Sequence, residues 1–215
     1  MNKDIYILGV GHNTIVYVDL LEQLGYSIKG LYHYNSDRNA ELYFGYPILG
    51  SFEDLYAIGD LSNMQFALSM GNNKHRKIAF ERIKQLGGFF PTLIHPKADV
   101  SKYAILGEGV AVHSNTVVHP QVKIGDNSVV SCNCTLIHQS SIGCHCYVAG
   151  SALVGAYTQI GDDVFVGLGA ILISEKVRTI GNCVIIGAGA VVTGSIDSYN
   201  VVAGVPAHII KKLEH

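Results

Sequence analysis

The apolar positions of this chain keep two different rhythms. Up to Pro91 they alternate between strand-like and helix-like spacing. Residues 5–11 read as a short buried strand running into glycine, and Thr14 to Leu24 carry helix-spaced apolar residues up to Gly25. Ser27 to Tyr32, Phe66 to Met70 and the apolar face of Ile78, Ile83 and Leu86 continue the alternation. This predicts a small, Rossmann-like α/β domain with a parallel sheet over residues 1–91.

From Val100 the stride becomes six. Val100, Leu106, Val112, Val118, Ile124, Val130, Leu136, Ile142, Val148, Val154, Ile160, Val166 and Leu172 are thirteen aliphatic positions in strict register. Two residues before each stands a small or β-branched residue, Cys134 and Cys146 among them, and glycine follows many of them, as at Gly107, Gly125, Gly143, Gly155, Gly161 and Gly167. An aliphatic to fill an interior, a small residue where faces meet and glycine for a tight corner describe a triangular solenoid of three hexads, or 18 residues, per coil. After Leu172 the phase slips by two, to Ile180, Ile186 and Val192, which predicts a loop between Ile173 and Thr179. The second domain therefore spans 92–215 as a parallel β-helix with a C-terminal tail.

Composition narrows the function. The 215 residues are 48% hydrophobic and 15% charged, with a formal charge of −2 and no long Lys/Arg run, so neither nucleic acid nor an anionic membrane is the expected partner. No apolar run approaches the ~18 residues of a membrane span. Met1-Asn2-Lys3-Asp4 lead straight into an apolar strand rather than a signal peptide, so a cytoplasmic location is expected. Five cysteines, an odd number, suit reduced thiols better than a disulfide framework. Leu213-Glu214-His215 read as the start of an expression tag and are given no role.

The hexad pattern, the glycine-rich first turn, the link Leu93-Ile94-His95-Pro96, a histidine in the middle coils and the late Gly204-Val205-Pro206-Ala207 together resemble the hexapeptide-repeat, left-handed β-helix acyltransferases, specifically the NeuD/PglD type. That resemblance implies acetylation of a sugar, often nucleotide-linked, by acetyl-CoA in surface-glycan biosynthesis, in homotrimers with active sites between subunits. N-acetylation of an amino-sugar is the expected reaction. Sugar O-acetylation and a non-catalytic trimeric sugar-binding scaffold are the alternatives.

The candidate base is His138, two residues past interior Leu136 and so near a corner. Adding one coil gives Ala156, roughly 4.8 Å above it at inter-strand spacing. In the family an amide of the next coil polarises the thioester carbonyl, which gives the Ala156 N–H that role. Gln139 stands where the family usually has Asp or Glu, and Tyr147 where it has a substrate-facing histidine. His113, His119 and His145 are weaker candidates for the base.

For acetyl-CoA the matching stretches are Gly187-Ala188-Gly189 and Gly204-Val205-Pro206-Ala207, with Ala156 beside the acyl group and Lys211 and Lys212 near the phosphates. Nucleotide-sugar contacts are expected from Gly9, Gly11, His12 and Asn13, and from Gly71, Asn72, Asn73 and Arg76. His33 and Tyr34 occupy the place of an acidic pair that often ends the second strand. Cys132-Asn133-Cys134 and Cys144-His145-Cys146 have metal-like spacing, but twelve residues separate the pairs onto different faces, so packing and no metal are expected. Solenoid carbonic anhydrases are the rival enzyme class. Their three zinc histidines follow a spacing that no histidine trio here matches.

Overall fold

The computed structural model describes residues 3–214, so Met1, Asn2 and the His215 of the tag-like end lie outside it. The chain forms two compact units, one ending at Leu93 and the other beginning at Ile94.

In the first unit β1 (Asp4–Leu8), α1 (Thr14–Gln23) and β2 (Ser27–His33) open the fold, followed by β3 (Leu42–Tyr43), β4 (Tyr46–Ser51), α2 (Phe52–Tyr56), β5 (Phe66–Leu68) and α3 (Asn73–Gln85). The sheet order is β3-β4-β2-β1-β5, parallel except for the edge strand β3. Its core gathers Ile5, Ile7, Leu8, Leu31 and Phe66 with Leu20 and Leu21 of α1, all at most 1% exposed. The chain leaves β1 towards β2 on one side and reaches β5 on the other, so a crevice opens beyond the carboxyl ends of β1 and β5. Ile78 departs from the predicted apolar face: Ile83 is fully buried, whereas Ile78 is 56% exposed. Five residues along a helix turn a side chain about 140° away, so the two cannot share one face.

The second unit is the expected three-faced parallel solenoid. Residues pair one coil apart, Val117 with Thr135, Lys123 with Ser141 and Val129 with Tyr147. From Val112 to Leu172 every stride-six aliphatic is buried, while Val100 and Leu106 at the start are only partly covered. At the slip the pairing becomes Gln159 with Thr179, twenty residues apart, and a turn at 174–176 absorbs the extra two. The small interior positions explain how polar atoms live in this core. Thr116 Oγ1 donates to the Ser131 carbonyl (2.6 Å), Ser128 Oγ to Gly143 (2.7 Å), and the Cys134 and Cys146 thiols to Ala149 and Gly161 (both 3.1 Å).

The corners correct one expectation. From Leu106 to Leu172 the left-handed residue is the third after each aliphatic, as at Asn115, Gln121, Asn127, Asn133 and Gln139, with φ between 55° and 62°. The glycines that directly follow the aliphatics are not left-handed. They are small because coils approach closely: a Cβ on Gly125 would lie 2.7 Å from the Cys144 nitrogen, and one on Gly167 2.6 Å from that of Ala188. The chain closes on an antiparallel hairpin of Asn200–Ala203 and His208–Lys212.

Candidate active site

In the solenoid, strand Thr135–Leu136 delivers His138 to the corner before strand Ser141–Ile142. Leu136 points inward and is fully buried, so the chain turns His138 to the half-exposed rim. Its Nδ1 lies 3.3 Å from Gln139 Oε1. An amide oxygen only accepts, so Nδ1 carries the proton and Nε2 keeps the lone pair that a base needs. The Tyr157 ring stands perpendicular to the imidazole, with centroids 5.4 Å apart.

Ala156 stacks one coil above, since Thr135 pairs with Leu153 and Leu136 with Val154. Its N–H is already engaged, donating to Ser174 Oγ at 2.9 Å. A thioester oxygen must therefore displace the Ser174 hydroxyl or receive a bond from it. Tyr157 and Ser174 were not among the residues expected here, although the same 18-residue count reaches both, from Gln139 and from Ala156.

Tyr147 lies away from this corner, on the next face but one, stacked on Phe165 with centroids 5.8 Å apart. Of the two stretches expected to hold acetyl-CoA, Gly187 donates to the Val202 carbonyl, Gly189 (φ 65°) turns a corner, and Val191 donates to the Gly204 carbonyl. The structure thus places 187–191 beside 202–207, with Val205 exposed and Lys211 and Lys212 exposed on the final strand. They occupy a different corner of the solenoid from His138.

The other histidines have local duties. His145 bonds Asn127 through Nδ1 (2.9 Å), and the His119 N–H pairs with the Leu136 carbonyl. His113 sits one coil above His95, both 8% exposed. Burial first, and the neighbouring His95 second, push the His113 imidazole down to about 4. The unfolded chain takes up that proton near pH 6.5, so below that value unfolding is progressively favoured until the folded imidazole also protonates. Stability is complete above about pH 6.5 and should fall by about 2 to 3 kcal/mol between pH 7.5 and pH 4.5. Chemical denaturation at the two pH values measures this, and His113→Gln should flatten the difference. An equal slope in the variant would place the acid sensitivity elsewhere.

In the first unit the crevice is a cavity of about 850 Å³ lined by Gly9, Gly11, His12, Asn13, Tyr34 and Gly71, and also by Phe52, Tyr56, Met70, His75 and Ile78. Gly9 has φ +102° and a Cβ there would meet Ser69 Oγ at 2.9 Å, so only glycine fits. Thr14 Oγ1 accepts from the Gly11 N–H (2.8 Å) and donates to the Gly9 carbonyl (3.1 Å), which braces the loop. The remaining expected contacts stand behind the wall. Arg76 is 1% exposed and donates to the Met70 carbonyl and to Asn73 Oδ1, Asn72 caps α3 through the His75 N–H, and His33 is buried with Nδ1 2.7 Å from Asn35 Oδ1. Asn72, Asn73 and Arg76 shape the start of α3 and His33 ends β2, and none of the four lines the cavity. Among the described residues no His/Cys/Asp/Glu cluster could hold a metal, and no helix is long and apolar enough to cross a membrane.

The repeat, the coil geometry and the α/β domain before them define a hexapeptide-repeat transferase fold. The family described as bacterial transferase hexapeptide (six repeats) matches residues 103–138. A UDP-N-acetylbacillosamine N-acetyltransferase of Bacillus subtilis (strain 168) is 42% identical over 52 residues, 24% of either chain, so the match spans about a quarter of that relative. Two solved structures are similar along nearly the whole chain. The acetyltransferase domain of PglB from Neisseria gonorrhoeae FA1090, in complex with acetyl coenzyme A, is 29% identical with a TM-score of 0.88, covering 98% of this chain and 100% of its own. A mutant perosamine N-acetyltransferase from Caulobacter crescentus, in complex with CoA and GDP-perosamine, is 26% identical with a TM-score of 0.87, covering 97% of each. Along nearly its whole length the chain is thus similar to sugar-modifying acetyltransferases, with the hexapeptide match lying in its solenoid.

Proposed function

We propose that the protein transfers the acetyl group of acetyl-CoA to the amino group of a nucleotide-linked amino-sugar, as a cytoplasmic homotrimer with active sites between subunits. The observation that carries this reading is the end-to-end likeness to an acetyltransferase domain solved with acetyl-CoA and to a perosamine N-acetyltransferase solved with CoA and GDP-perosamine. The chain's own residues suit the chemistry. The amine nitrogen attacks the thioester carbon while His138 Nε2 takes its proton. Negative charge gathers on the carbonyl oxygen beside the Ala156 N–H and Ser174 hydroxyl, and the C–S bond then breaks as the CoA sulfur leaves and regains a proton. In the first unit, residues at the starts of α1 and α3, Gly11, His12, Asn13 and Gly71 among them, line the cavity, and helix N-termini favour phosphate. Tyr34, Phe52 and Tyr56 offer aromatic faces for the rest of the ligand.

Assembly is supported by the outward rows of the solenoid. One face presents Val117, Leu153, Ile171 and Val191, with Asp99 and Thr135 in the same row, and another Tyr147, Phe165 and Ile185, while the third, beyond exposed Ile105, carries Lys123, Ser141, Gln159 and Thr179. Two apolar faces on one prism suit contact with two further copies. The separate corners of His138 and the 187–189 stretch also favour sites completed by a neighbour.

Free-thiol release from acetyl-CoA against a panel of nucleotide-linked amino-sugars tests the reaction. Release with an amino-sugar and none with its hydroxyl analogue is expected. Release with the hydroxyl acceptor alone would make the protein an O-acetyltransferase, and none with any acceptor would leave a sugar-binding scaffold. Light scattering should give the mass of a trimer, and a monomer at micromolar concentration would overturn the assembly.

A further inference from the structure

Five left-handed corner residues of the solenoid are short and polar: Asn115, Asn127, Asn133, Ser151 and Asp163 adopt φ between 55° and 61°. Asn and Asp tolerate this conformation, whereas a bulky side chain pays for it in steric strain. Tyr157, like Tyr199, carries a full aromatic ring in this conformation, at φ 62°. Its ring is 40% exposed, so core burial does not explain an aromatic there. What the ring does touch is His138, perpendicular at 86° with centroids 5.4 Å apart, while the Tyr157 N–H reaches the His138 carbonyl at 3.4 Å.

His138 needs such a neighbour. Its Nδ1 contact with Gln139 is long for an N–H···O bond at 3.3 Å, and the amide brings no charge to strengthen it. One weak bond at one edge leaves the imidazole free to swing about its last torsion, which is broad for an sp² ring. A perpendicular aromatic restricts that torsion, and edge-to-face pairs are a preferred arrangement. We propose that Tyr157 is a positioning residue for His138, holding the imidazole plane so that Nε2 stays aimed at the acceptor, in compensation for the missing carboxylate. This rests on the reading of His138 as the base.

The strain makes the test sharp. Tyr157→Asn removes the ring but suits the left-handed backbone, so its Tm should equal or exceed that of the parent protein. Its kcat should fall about 3- to 10-fold, the range that one aromatic pair corresponds to, with the KM for acetyl-CoA unchanged. Tyr157→Phe keeps the ring and should retain kcat within about twofold. A purely structural tyrosine would instead lower Tm in the Asn variant, and Tm and kcat falling together would overturn the proposal. So would unchanged kcat in Tyr157→Asn while His138→Asn is inactive, an outcome that leaves the function intact. If His138→Asn itself keeps full turnover, the base assignment fails first and the positioning role goes with it.

Discussion

Replacing His138 by alanine should leave a folded protein that binds acetyl-CoA and turns over about 10² to 10⁴ times more slowly, the usual cost of losing a general base. The fold should survive because the coil is held elsewhere. Leu136 fills the interior beneath His138, Ser140 Oγ donates to the Ile137 carbonyl at 2.7 Å, and the backbone pairs with the coils on either side. The imidazole itself is half-exposed and contributes little to the core. Gln139 decides where in that range the loss falls. A carboxylate there would stabilise the imidazolium as it forms, which a neutral amide does less well, so a loss towards the lower end is expected. Gln139→Glu should then raise turnover. Thiol release measured for both variants with one verified acceptor checks the pair, and undiminished turnover in His138→Ala would mean that the proton leaves by another route.

Gly143→Ala should be strongly destabilising. Gly107, Gly125, Gly143 and Gly161 stack in one corner column, and a Cβ on Gly143 would lie 2.5 Å from the Gly161 carbonyl oxygen and 2.6 Å from its carbon. Those are backbone atoms, and Gly161 is fixed in turn by its N–H to the Ile180 carbonyl (2.8 Å). No rotamer relieves the clash. The coils must part, and the bonds between Ser141 and Gln159 and between Ile142 and Ile160 go with them. Overpacking a well-filled site typically costs about 1 to 3 kcal/mol, and a backbone clash belongs at the upper end. That corresponds to a loss of about 10 °C in Tm. Gly194→Ala is the control, because an added Cβ there meets nothing within 4 Å and the backbone is not left-handed. Equal melting temperatures for the two variants would show that the coil spacing is softer than the geometry implies.

The solenoid was legible because its interior admits one kind of side chain at one interval. Thirteen aliphatics in register leave no other arrangement that buries them all, and the 18-residue count that follows stacks Ala156 on His138. Other parts were hidden for identifiable reasons. Pro47 and Gly50 interrupt the apolar run of β4, and α2 is only five residues long, too short to express a helical period. Arg76 is expected among the nucleotide-sugar contacts, and its guanidinium donates to the Met70 carbonyl and Asn73. Only side-chain geometry distinguishes a cation that meets a ligand from one that braces the loop meeting it. The same holds for Ser174, whose position follows from counting but whose grip on the Ala156 N–H depends on a rotamer.

The pairing of residues one coil apart makes tolerance to length changes discrete. Deleting or inserting a full turn of the prism returns every later side chain to its own face, whereas a change of six carries all of them on to the next one. A site composed of His138, Ala156 and Ser174 is a vertical line drawn across three such turns. The chain can therefore lengthen or shorten by whole turns outside that line without disturbing it. Within it, the extra pair of residues is accommodated only beyond Ser174, where the turn at 174–176 bulges away from the stack.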